Sequence, residues 1–213
     1  TSGARTFDSS GGTVNFASAL NGTSSNLTIT GNADIDGAIT NVRHLSISGT
    51  TNLGANITVV NGYTQTYTGP VTLSANVTLS SGSSSGDITF SSTIDSEDST
   101  RRNLTIDADA ASSDRVTFDG IVGGNQGVGV IAITGSFDLN AAIANATSLS
   151  VSLGGEAIST GIANIAANVT TTGTQTYEGG ILLSGGSITL QGSTIQSGYA
   201  INGEQNLTII GNL

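Results

Sequence analysis

Residues 26–48, NLTITGNADIDGAITNVRHLSIS, align without a gap on residues 130–152, VIAITGSFDLNAAIANATSLSVS. At this offset of 104 residues Gly31 meets Gly135, Asp34 meets Asp138, Ile39 meets Ile143, Asn41 meets Asn145 and Leu45 meets Leu149. TQTY at 64–67 recurs at 174–177, and NLTI at 103–106 recurs at 206–209. The 213 residues therefore read as two copies of one unit, 6–115 and 116–213, with a short insertion near GIANIAANV at 161–169. An in-register repeat of this size restricts the fold to an array in which each segment is built on its neighbour.

Within each copy helical periodicity is nearly absent. Apolar residues alternate with small polar ones over three to five positions, as in HLSIS at 44–48, VTL at 71–73, DITF at 87–90 and SLSVSL at 148–153. This is the strand period, and Asn-Gly, Gly-Gly, Ser-Gly and Asp-Gly turns separate the runs. Strands so short cannot hold a sandwich face. They suit one side of a coil that stacks on the next, with about 20 residues and three strands per coil. The expected fold is all-β: a right-handed parallel β-helix (β-solenoid) of about ten coils with three short strand faces per coil, one continuous solenoid over 1–213. Gly69-Pro70 and Gly179-Gly180 are expected to turn the same corner, with Tyr67 and Tyr177 at equivalent positions about five coils apart. Asn26, Asn103 and Asn206 open the NLTI strands and serve as further repeat markers.

A single coil must fail alone. Each inward Val, Ile, Leu or Phe contributes about 1.5–3 kcal/mol when buried, whereas ordering costs about 1–2 kcal/mol per residue. Only stacking closes that gap, and the end coils then need covering. No capping helix is visible at either end, so the chain is expected to be a piece of a longer array.

Composition narrows function. Charged residues are 9% of the chain, against roughly 25% in ordinary domains. Low charge with 30 Gly would fit disorder, but 36% of residues are hydrophobic and recur in β-branched runs, which argues for order. There is no Lys, and the net charge of −10 argues against nucleic acid as a partner. No apolar run reaches the ~20 residues of a membrane helix, so no membrane insertion is expected. Cys is absent. The wealth of Thr, Ser, Asn and Gly points to an extracellular setting.

No catalytic constellation emerges, and the expectation is a non-enzyme without a cofactor. The one His, His44, is expected on a solvent-facing strand position. The densest charged segment, DSEDSTRRN, holds Asp95, Glu97, Asp98, Arg101 and Arg102 and reads as an exposed loop. Asp95, Glu97 and Asp98 are weak calcium candidates, since calcium takes hard carboxylate oxygens. The Asp pairs of DID (34–36) and DAD (107–109) read as structural. Asn21, Asn26, Asn56, Asn76, Asn103, Asn145, Asn168 and Asn206 each precede x-Thr. We read them as corner residues, with Asn ladders and glycosylation as alternatives. A flat ice-binding Thr face would need T-x-T on nearly every coil, and HLSIS, DITF and SLSVS break that pattern.

The phrase TGTQTY (172–177), then ILLSGGSITLQGSTIQ (181–196), then NLTI (206–209), resembles repeats of large bacterial exoproteins, the filamentous-haemagglutinin-like and autotransporter-like adhesins. The resemblance covers nearly the whole chain in two copies. It implies a right-handed parallel β-helix at the bacterial cell surface, acting as a rigid stalk of an adhesin or filament. Its partners would be neighbouring coils of the same chain, a host or surface glycan or receptor, and other copies through self-association. The alternatives are a carbohydrate- or receptor-binding segment, calcium-assisted and centred on loop 95–102, and a polysaccharide-degrading β-helix enzyme.

Overall fold

A computed structural model describes residues 3–82, 86–108, 115–152 and 162–212. These residues form a parallel β-solenoid of about nine turns, with no helix among them. The chain visits three faces in a fixed order. Face 1 stacks 5–8, 27–30, 45–47, Gln65–Tyr67, Ile88–Phe90, 116–118, 137–139, 163–165, 181–183 and Ile201–Asn202. Face 2 stacks 13–16, 33–35, Thr51–Leu53, Val71–Leu73, Ile94–Ser96, Val122, Ile143, Val169–Thr171, 190–191 and 209–210. Face 3 stacks 20–25, 39–42, Ile57–Val59, Val77–Ser80, Leu104–Asp107, 131–134, 149–152, Gln175–Tyr177 and 195–197. Nine turns are complete, and 201–202 and 209–210 supply two strands of a tenth. At about 4.8 Å per turn the nine turns span roughly 43 Å.

Alternation decides what is buried. Val71–Leu73, Gln65–Tyr67 and Ile88–Phe90 each bury their first and third residues and turn the middle Thr outward. The inward residues form one core running from Phe16 to Ile195. Its aromatic column lies behind face 1: Tyr67 stacks on Phe90 at 4.9 Å between centroids, Phe90 meets Phe118 edge-on at 5.4 Å, and Phe118 meets Phe137 at 5.2 Å. The corner between faces 1 and 2 carries Gly31, Gly49 and Gly69 on successive turns. A Cβ on Gly49 would strike the Gly31 carbonyl, and one on Gly69 the Gly49 carbonyl. Only glycine lets these corners stack.

The repeat differs from expectation in phase. Leu27 lies on face 1 of the second turn, whereas its counterpart Ile131 lies on face 3 of the sixth. Tyr67 lies on face 1 of the fourth turn and Tyr177 on face 3 of the eighth. Leu104 on face 3 maps to Leu207 on face 2. Each shift is four turns plus two faces, fourteen strands in all, so the second copy is rotated by one face about the axis. Gly69 turns the corner from face 1 to face 2, whereas Gly179 lies between the face 3 strand Gln175–Tyr177 and the face 1 strand Gly180–Leu183. They are the same position of the repeat but not the same corner of the rod. Unequal turn lengths hide this in the sequence: Leu27, Leu45, Gln65, Ile88 and Val116 are successive face 1 partners separated by 18, 20, 23 and 28 residues.

Candidate functional site

The TQTY phrase builds an interior contact. Gln65 shares the inward phase of Tyr67, and both are fully buried. The Tyr67 hydroxyl donates to Gln65 Oε1 at 2.8 Å, and Gln65 Nε2 donates to the Ser80 carbonyl at 2.9 Å. The second copy repeats this: Tyr177 donates to Gln175 Oε1 at 3.1 Å, and Gln175 Nε2 reaches the Gln191 carbonyl at 2.7 Å. A buried phenol needs an acceptor, and a buried amide needs both donor and acceptor partners, so each pair closes its own account of hydrogen bonds. Sequence reasoning marked the tyrosines and missed the glutamines; the signal was that Gln65 and Gln175 fall in the apolar phase of their strands.

Burial pushes both phenols well above the ordinary value of 10.0. The folded state therefore holds these protons more tightly than the unfolded chain. The resulting stability is whole below about pH 10 and is lost as pH rises through the folded-state values. Urea midpoints are expected to fall steeply above about pH 10, and a Tyr67→Phe/Tyr177→Phe variant is expected to lose most of that slope.

The charged segment does not converge on one ligand. Asp95 is 9% exposed, and its Oδ1 accepts the N–H groups of Asn125 (2.8 Å) and Gln126 (3.1 Å). It fixes the loop that covers face 2 there. Asp98 is exposed; the Thr100 N–H donates to it at 2.7 Å and Arg102 lies 3.8 Å away. The Thr100 contact leads in holding its carboxyl below the usual range, with Arg102 adding less. Glu97 instead lines the end of a groove on face 2. Arg101 reaches strands of the following turns, donating to Asn145 Oδ1 at 2.7 Å and to the Val128 carbonyl at 3.2 Å. No group of three His, Cys, Asp or Glu stands together among the described residues. Asp109 lies outside the described residues.

His44 is exposed on its strand, with Nδ1 2.9 Å from Thr64 Oγ1 and its ring edge-on to Tyr63. The corner asparagines act between turns. Asn41 Nδ2 donates to Asn21 Oδ1 at 3.3 Å as a single rung of an Asn ladder, and most of the others take backbone N–H groups. Oδ1 of Asn56, Asn76, Asn103 and Asn168 accepts the N–H of Thr78, Asn103, Val130 and Thr189 respectively, each at 2.8 Å. Each carries the backbone ladder around a bend where strand pairing lapses. Asn26 and Asn206 are exposed.

The groove on face 2 of the first turns is the candidate site. Thr13, Asn32, Asp34, Thr50, Asn52, Thr72 and Glu97 line about 380 Å³. Asp34 is set by two amides: Asn15 Nδ2 donates to Oδ2 at 2.9 Å and Asn52 Nδ2 to Oδ1 at 2.8 Å. Asn52 Oδ1 is buried without a partner. The outward row on face 1 runs Thr6, Thr28, Ser46, Thr66, Thr89 and Thr117, but HLSIS supplies His44 and Ser46 and DITF supplies Asp87 beside Thr89, so both break the T-x-T pattern as expected. Asp138 and Asn164 end that row. No protein-family model matches the chain, and no curated protein or solved structure is significantly similar to it.

Proposed function

We propose that this chain is a rigid, non-catalytic stalk segment of a secreted or cell-surface adhesin or filament, set at the bacterial surface and working by length and stiffness. What supports the reading is which residues the two copies keep. Inward positions keep their character despite the rotation: Leu27 and Ile131, Ile35 and Leu139, Leu45 and Leu149, Gln65 and Gln175, Tyr67 and Tyr177 are all buried. Outward positions drift more, with Thr28 against Ala132, Thr68 against Glu178 and Thr72 against Leu182, although the pair Asp34–Asn52 is kept as Asp138–Asn164. The rotation also denies the copies a shared outer face, so a surface motif carried by both would never line up along the rod. The unit retained is one of construction.

The test is to display the segment between a surface anchor and a binding tip. Deleting one turn, residues 45–64, is expected to shorten reach by about 4.8 Å and to keep attachment. Replacing the outward Thr residues of face 1 by Ser at constant length is expected to leave attachment unchanged. Loss of attachment on that surface change would overturn the stalk reading in favour of a binding segment.

A further inference from the structure

We infer that the face 2 groove around Asp34 is a docking site for a guanidinium, the arginine side chain of a partner polypeptide. The internal repeat carries the argument. Asp34 pairs in register with Asn52, and their counterparts Asp138 and Asn164 pair in register on face 1. Both asparagines keep Oδ1 buried and unpartnered, the second even beside Arg115, so this atom takes no part in holding the cation. In the second copy a cation fills the site: Arg115 Nη1 lies 2.6 and 2.7 Å from the two oxygens of Asp138. Arg115 is the register partner of Ser136, and Thr13 is the register partner of Asn32, the residue that aligns with Ser136. Thr13 thus stands where the second copy places its arginine, and the groove opens beside it.

The chemistry left in the groove suits the same group. Asp34 supplies a carboxylate and Thr72 a hydroxyl, with the Glu97 carboxylate three turns along the same groove and no Arg among the lining residues. A guanidinium offers five N–H donors in a planar fork and one positive charge, which matches the Asp34 carboxylate as Arg115 matches Asp138. An ammonium is a point charge and uses a carboxylate less well. The chain has no Lys and a net charge of −10, so a basic partner also meets a favourable field. This inference does not depend on the stalk reading, since a stalk can carry a docking point.

The test is calorimetric titration of the full chain with a capped pentapeptide holding one Arg between glycines, and with its Lys analogue. Saturable binding at one peptide per chain is expected, tighter for Arg. Thr13→Arg, which places the chain's own guanidinium in the groove, and Asp34→Asn are each expected to weaken it by about tenfold or more. Asp138→Asn changes the net charge equally but touches a carboxylate already held by Arg115, and is expected to leave binding within about twofold. Thermal unfolding of each variant checks that the fold survives, and Glu97→Gln gives a second loss of affinity without disturbing the Asp34 amide contacts. Equal losses for Asp34→Asn and Asp138→Asn would reduce the effect to bulk charge and overturn the proposal. So would unchanged binding in Thr13→Arg, the absence of saturable binding, or occupancy of the groove by calcium or a neutral saccharide in preference to the Arg peptide.

Discussion

Phe90→Ala is expected to destabilise the solenoid by about 3–5 kcal/mol, the largest single-residue effect in the molecule. Phe90 is fully buried and sits between Tyr67 and Phe118 in the aromatic column. Its neighbours are held by strand ladders on the turns above and below, so they cannot close the space. The lost transfer energy and the cavity both count, against a total stability of about 5–15 kcal/mol for a typical domain. Denaturant unfolding read by circular dichroism measures the change. A cost below about 1 kcal/mol would mean that the column relaxes around the gap and is not packed as described.

Gly49→Val is expected to cost about 2–3 kcal/mol by a different route. The new Cβ collides with the Gly31 carbonyl and with Asn32 Oδ1, and backbone cannot rotate away as a side chain could. The two turns must separate at that corner, where the Gly49 N–H donates to the Gly31 carbonyl at 2.9 Å. Gly186→Val is the control, because nothing lies within 4 Å of its added Cβ. The same unfolding measurement separates them: a loss confined to Gly49 supports stacked corners, and equal losses would point to a general penalty for branched residues in turns.

The elements were legible in the sequence, and the phase between them was not. A period-two alternation as short as QTY or VTL, closed by glycine, determines both strand and corner locally, and those strands form where expected. Which face a strand joins depends on how many residues each intervening loop consumes. Successive face 1 strands are 18 residues apart at Leu27 to Leu45 but 28 at Ile88 to Val116, so counting from the first copy cannot place the second. The site suffered similarly. Asp95 looks like a loop carboxylate because its partners, the N–H groups of Asn125 and Gln126, lie 30 residues on and have no sequence signature. The groove joins Thr13, Asp34, Asn52, Thr72 and Glu97, five residues from five successive face 2 strands or their ends, and only stacking brings them to one groove.

Paired cysteines test the rotated repeat most directly, in a chain that has no cysteine of its own. Thr105 and Ala132 are register partners on face 3. Adjacent parallel strands stand about 4.8 Å apart, within the roughly 4.4–6.8 Å Cα range of a disulfide. The Thr105→Cys/Ala132→Cys variant is expected to cross-link on mild oxidation, and Thr117→Cys/Ala132→Cys is not. Were the copies in phase, Ala132 would take the place of its counterpart Thr28 on face 1 and lie against Thr117. Cross-linking of the Thr117 pair, with none in the Thr105 pair, would contradict the fourteen-strand displacement on which the account rests.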